Sequence, residues 1–228
     1  MYGCYQSLDL VAVRASILDT DGSRLCSNTN GSAYNMRPIS LGRSPILSTG
    51  ETIEQKSGDG TICFSVTDPD VTTGEDLSLT LCQLDLELIS VLTGAELFLD
   101  GDAVVHGMEA PDPSIAKTPV EFHAWTKAYS GSAQVADPRD YWHWVWPYTK
   151  WTLGDWVLER GLLTVSVNAK ASGNDNLGNG SFGDLPGAGV QQFFGTWLDN
   201  DVPDCDTAPY SAVAGYCCGF IDTPACSS

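Results

Sequence analysis

The sequence predicts an all-β domain with many turns and one short helix. Three observations carry this. Gly (23) and Pro (12) are plentiful among the 228 residues. β-Branched and aromatic residues run along the whole length, and apolar positions recur mainly with a period of two. With 43% hydrophobic residues the chain can bury a substantial core.

The elements follow in order. Residues 8–18, LDLVAVRASIL, read as a first strand closed by the turn DTDGS. Residues 35–47 hold a weaker strand, and the polar stretch STGETIEQKSGDG after it reads as a long loop. TICFSVT (61–67) and DLSLTLC (76–82) both alternate cleanly, with Ile62, Phe64 and Val66 on one face and Leu77, Leu79 and Leu81 on another. If the two form a hairpin, their apolar faces must coincide, which sets Phe64 opposite Leu81 and Val66 opposite Leu79. The same register brings Cys63 opposite Cys82, a candidate cross-strand pair.

After Cys82 the period changes. In QLDLELISVLTG, Leu84, Leu88, Val91 and Leu92 recur at helical spacing, Asp85 suits the N-cap and Gly94 suits the C′ position. The helix is expected at about residues 85–93. ELFLDGDAVV (96–105) reads as a hairpin turning at Asp100-Gly101. VEFHAWTKAY, YWHWVWPYTKW, DWVLER and LLTVSVNAK continue the strands, residues 172–190 read as a Gly/Asn-rich loop, and QQFFGTWL reads as a last strand. Residues 1–204 form one β domain, and 205–228 form a C-terminal arm with Cys205, Cys217, Cys218 and Cys226.

YWHWVWPYTKW (141–151) raises the question of a ligand platform. Trp142, Trp144 and Trp146 fall on even positions, so as a strand they share one face. Their apolar neighbours make them candidate core aromatics, with His143 and Val145 facing the other way.

Composition narrows function. Eleven basic against 29 acidic residues give a formal net charge of −18, which argues against binding nucleic acid through phosphates. The start, MYGCYQSLDL, has no basic n-region or apolar h-region, so secretion is not expected, and no apolar run is long enough for a membrane helix. The eight Cys fit no zinc pattern, and free buried thiols are the expectation for a chain made in the cytosol. GNGSFG (178–183) matches a dinucleotide fingerprint only in letters, because DLPGAG after it cannot open a helix. DTDG (19–22) and DNDVPDCD (199–206) place carboxylates as calcium loops do but lack the downstream Glu, and read as solvated turns. His106, His123 and His143 have no metal or catalytic spacing. No enzymatic activity, cofactor or metal is expected.

Two blocks carry a resemblance. TICFSVTDPD followed by LSLTLCQLDLELISVLTG, and later YWHWVWPY followed by LGDWVLERGLLTVSVNAKAS, resemble the major tail proteins (tail tube proteins) of long-tailed phages infecting actinobacteria. Asp85-Leu86-Glu87-Leu88 stands where that family usually has Asp-Pro-Glu-Leu, so the helix-starting Pro is absent. The resemblance covers residues 5 to 200 loosely and does not reach 205–228.

It implies a mainly β fold, a β-sandwich or half-barrel with a flanking helix. It also implies a homo-oligomer of hexameric rings stacked into a tube through which phage DNA passes without specific binding. The tape-measure, tail-terminator and tail-tip proteins would be its partners, and the virion, assembled in the host cytoplasm, its location. A long loop then bridges neighbouring subunits or rings. Residues 43–60 are the candidate, with Arg43, Ser44, Pro45, Ile46, Leu47, Glu51, Glu54 and Lys56 as contact residues. An acidic lumen would keep DNA from sticking. The competing readings are a carbohydrate-binding β-sandwich using the Trp-rich strand, as a decoration or host-recognition protein, and more distantly a glycoside hydrolase.

Overall fold

The computed structural model describes residues 5–23, 25, 31–35, 38–100, 105–112, 117–130, 141–159, 162–174, 195–199 and 218–221. The chain is mainly β, with one short helix among these residues. The strands are β1 (Tyr5–Ile17), β2 (Ser32–Asn35), β3 (Pro38–Ser48), β4 (Thr52–Lys56), β5 (Ile62–Thr67) and β6 (Val71–Leu81). After the helix α1 (Leu86–Thr93) come β7 (Leu97–Leu99), β8 (Val105–Met108), β9 (Val120–Ser130), β10 (Tyr141–Glu159), β11 (Leu162–Ala171), β12 (Gly195–Asp199) and β13 (Cys218–Ile221).

Nine strands make one antiparallel sheet in the order β13-β2-β1-β9-β10-β11-β6-β3, with β12 on β10. The sheet curls. Leu10 on β1 and Leu41 and Arg43 on β3 line one groove, although β9, β10, β11 and β6 lie between those strands in the sheet. The half-barrel that results wraps a core of Val13, Leu77, Leu79, Leu81, Phe122, Trp146, Trp151 and Val167. Helix α1 adds Leu88, Ile89, Val91 and Leu92, all buried, each stabilising by about 1.5–3 kcal/mol through apolar burial. Its ends are as expected: Asp85 Oδ1 accepts from the Leu88 N–H at 3.0 Å, and Gly94 takes a left-handed φ of 73°. Asn35 Nδ2 donates to Asp85 Oδ2 at 2.6 Å and ties the helix to β2.

β10 is one strand of 19 residues, where the sequence suggests two. It bends at two irregularities, between Trp146 and Thr149 and between Leu153 and Trp156. The first carries Pro147, which cannot donate to a ladder. It also shifts the alternation, so that odd-numbered Trp151 joins even-numbered Trp146 on the core side. At the second, a Cβ on Gly154 would meet Asn168 Nδ2 at 2.8 Å and the Ser166 carbonyl at 2.9 Å, so only Gly fits.

Several expectations are corrected. Residues 61–67 do not pair with 76–82. β5 pairs with β4 instead, and β6 pairs with β3 and β11. Leu79 faces Leu41 and Val167 in the ladder rather than Val66. Cys63 and Cys82 are therefore not cross-strand partners, and both are exposed thiols. Residues 43–60 are not a loop: 43–48 complete β3 and 52–56 are β4. Alternation shows which residues share a face but not which strand pairs with which, and that is where the expected register failed.

The 96–105 hairpin forms as β7–β8, with its turn residues 101–104 outside the described set. Part of the expected C-terminal arm belongs to the sheet, since Cys218–Ile221 pair with β2. The GNGSFG run and residues 200–206 lie outside the described residues. At 19–22 the carboxylates close a turn, with Asp19 accepting from Thr20 and Asp21 from Ser23.

Candidate interaction surface

β3 is an edge strand, paired only with β6 among the described residues, and its position there tolerates Pro38 and Pro45. β11 accompanies β6 only from Glu75 to Leu81. Before Glu75, β3 and β6 run on together as a two-stranded ribbon, with Leu47 opposite Thr72 and Ser48 opposite Val71. The β4–β5 hairpin follows, its root closed by the Asp68 N–H to Glu51 carbonyl bond at 3.0 Å and by Asp70 accepting from the Gly50 N–H at 2.9 Å. Every residue of β4 and β5 is exposed.

The hairpin is two-faced. Ile53 lies opposite Val66 and Gln55 opposite Phe64 on one side, while Thr52 and Thr67 share a hydroxyl hydrogen bond on the other. Ile53 is 54% exposed, Phe64 52% and Val66 43%, with Leu47 and Val71 at 58% on the ribbon below. A lone two-stranded hairpin is marginal in water. Ile53, Phe64 and Val66 thus form an exposed apolar patch of the kind that interaction sites present, while Leu47 and Val71, one register position apart, point to opposite faces of the ribbon. The tip is charged: Asp59 accepts from Ser57 Oγ and the Thr61 N–H, and these bonds, Ser57 first, hold its carboxyl down to about 2.

Of the residues expected to make subunit contacts, Arg43 is the exception. It turns back to the sheet, where Nη2 meets Glu75 Oε1 at 2.7 Å, while Ser44, Pro45 and Leu47 are exposed on β3, Ile46 is half-buried, and Glu54 and Lys56 sit on β4. Glu51 stands at the hairpin root.

The Trp-rich strand divides. Trp146 is buried in the core, and its indole N–H donates to Glu75 Oε2 at 2.9 Å. Trp144 is half-buried, donates to Thr126 Oγ1 at 2.9 Å and lines an open groove of about 180 Å³ with Leu10, Leu41 and Arg43. Trp142 is half-buried, 6.4 Å from the Trp144 ring centre. Only Trp146 of the three is fully buried, whereas Trp125 and Trp151, not singled out from the sequence, are buried too.

The reverse face holds a buried polar cluster. His123 Nδ1 and His143 Nε2 lie 2.8 Å apart, Glu121 Oε1 is 3.1 Å from His123 Nε2, and Trp125 stacks on His143 with centroids 4.3 Å apart. Burial, reinforced by His123, pushes the His143 imidazole down to about 2, so it is neutral in the fold. A Glu-His-His line has the parts of a proton relay. Glu121, His123 and His143 are all nearly inaccessible to solvent. No cluster of metal-ligating side chains occurs among the described residues.

No known family model matches the chain, and no curated protein matches it. The β4–β5 hairpin and Glu75 are the features that residue patterns missed. The alternation in T-I-E-Q-K was present but is short and mostly polar, and the role of Glu75 depends on a strand order that spacing does not encode.

Proposed function

We propose that this chain is a structural subunit that assembles with copies of itself, and specifically a subunit of a phage tail tube built from stacked rings. One observation carries the first part: an amphipathic hairpin, exposed along its whole length, extends from the edge of a curled sheet. A monomer that leaves such a hairpin uncovered bears a cost that a neighbouring subunit removes. The edge of β3, which pairs only with β6 among the described residues, adds a second place where chains can join. The second part rests on the sequence resemblance, with which the half-barrel and its flanking helix are compatible.

In this reading the ribbon and hairpin replace the expected bridging loop, over the same residues. Negative-stain microscopy of the concentrated protein tests the proposal. Rings of uniform diameter or hollow tubes are expected, and a field of monomers at all concentrations would overturn it.

A further inference from the structure

A chain of net charge −18 has few lysines to spare, yet three of them converge on one open groove of about 460 Å³ on the outer side of the sheet. Lys150 and Lys170 are direct cross-strand partners on β10 and β11, and Lys117 joins them. Like charges placed opposite each other in a sheet are destabilising, so the pair costs stability unless an anion offsets it. Asp76, opposite Lys170, supplies one carboxylate. Lys150 lies over the Tyr148 ring, 5.5 Å from its centre. None of the three lysines is in a salt bridge among the described residues, and the groove is left with a surplus of positive charge.

The complementary charge is on the same chain. Residues 49–70 hold Glu51, Glu54, Asp59, Asp68 and Asp70 against Lys56 alone. Glu51, Asp68 and Asp70 gather at the hairpin root, where the Asp68 N–H donates to the Glu51 carbonyl and the Asp70 carboxylate accepts from the Gly50 N–H. We infer that the Lys117–Lys150–Lys170 groove receives the acidic β4–β5 hairpin of a second copy of this chain. The donor surface and the acceptor surface are different patches, which permits a head-to-tail contact that propagates into a closed ring or an open stack. The lysine stems and the Tyr148 ring offer apolar surface beside the ammonium groups, which suits a hairpin that is apolar on one side and acidic at its root. The inference rests on the self-assembly reading above and names its acceptor surface.

The test uses the full chain in sedimentation velocity over a concentration series at low salt, with two charge reversals, Lys150→Glu/Lys170→Glu and Glu51→Lys/Asp68→Lys. All four positions are at the surface, and circular dichroism melts confirm that each variant is folded. Each variant alone is expected to lose association at least tenfold, and mixing the two is expected to restore it. If the wild type assembles and the Lys150→Glu/Lys170→Glu variant assembles equally well, the groove assignment is overturned while self-assembly stands. Failure of the mixture to recover also overturns it. A wild type that stays monomeric overturns both. A labelled DNA duplex is the control probe. Binding that is lost in Lys150→Glu/Lys170→Glu while self-association persists would make the groove a phosphate site and overturn the proposal.

Discussion

The buried carboxylate of Glu75 accepts a hydrogen bond from the indole N–H of Trp146 at 2.9 Å, across strands that are not neighbours in the sheet. Its other oxygen holds Arg43 at 2.7 Å, so one side chain joins the core of the half-barrel to the edge strand that leads into the hairpin. A buried carboxylate is stable only when both oxygens are engaged, and here both are.

Replacing Glu75 by Leu leaves the Trp146 N–H buried without an acceptor and should destabilise the fold by about 2–4 kcal/mol. Trp146→Phe removes that orphaned donor, so the double variant should be less unstable than the sum of the two single changes. Urea denaturation of the four proteins measures this. Strict additivity would show that the two residues are not coupled.

Two buried groups titrate with opposite sign. Burial first of all raises the Asp85 carboxyl to about 6 from an ordinary 3.8, so the folded state binds its proton more tightly than the unfolded chain. Its contribution is complete below about pH 4 and is lost as pH rises through 6. His143 is depressed to about 2, so its contribution is present above about 6.5 and is lost as pH falls. Between pH 4 and 6 the two slopes, each about 1.4 kcal/mol per pH unit at most, oppose each other. Asp85→Asn keeps a good capping residue but removes one slope. Its stability should therefore fall more steeply than that of the wild type from pH 6 to 4. His143→Gln should show the reverse, stability rising as pH falls over that range. Parallel pH profiles for all three proteins would contradict the assignment.

Gly74 sits in β6 where a Cβ would meet the Ala171 carbonyl at 2.5 Å. Backbone there cannot yield without breaking the β6–β11 ladder, whose last pair is Glu75 with Ala171. Gly74→Ala should cost about 1–3 kcal/mol and lower the melting temperature, against the small effect of most surface changes. An unchanged melting temperature would mean that the strands can separate at this point without loss.

Gly50 gives a separate handle on the hairpin. A Cβ at this position would land on the Asp68 carbonyl, at the root where the Asp68 N–H bonds Glu51. Gly50→Ala should therefore splay the hairpin while leaving the core untouched. Limited proteolysis is expected to cut near residues 50–68 faster than in the wild type, with thermal unfolding of the body unchanged. Equal cleavage rates would show that the root tolerates the methyl group.

These features were legible in the sequence to different degrees. Helix α1 was readable because its signals are local: an Asp cap, a change of period and a closing Gly within ten residues. The strands around Leu77, Phe122 and Val167 were readable because alternation is local too. Pairing is not local, so the register of residues 61–67 was misassigned. Ile62, Phe64 and Val66 alternate like a core strand, yet they line an exposed hairpin, and period two does not distinguish a face buried within one chain from an uncovered one. The aromatic stretch shows the same limit at smaller scale. Period two puts Trp142, Trp144 and Trp146 on one face, of which only Trp146 is fully buried while Trp144 packs partly against the core, and the irregularity at Pro147 resets the phase and brings Trp151 into the core. The Lys150–Lys170 pair lay twenty residues apart in the chain and became visible only once β10 and β11 were in register.

The central claim, that the hairpin joins copies of this chain, is tested most directly by sedimentation velocity on the wild type and on a variant in which residues 50–69 are replaced by a short Gly-Ser linker. The account predicts a sedimentation coefficient that rises with concentration for the wild type and a monomer at every concentration for the shortened chain, with the same melting temperature for both at dilutions where the wild type is monomeric. Association that survives removal of the hairpin would contradict it.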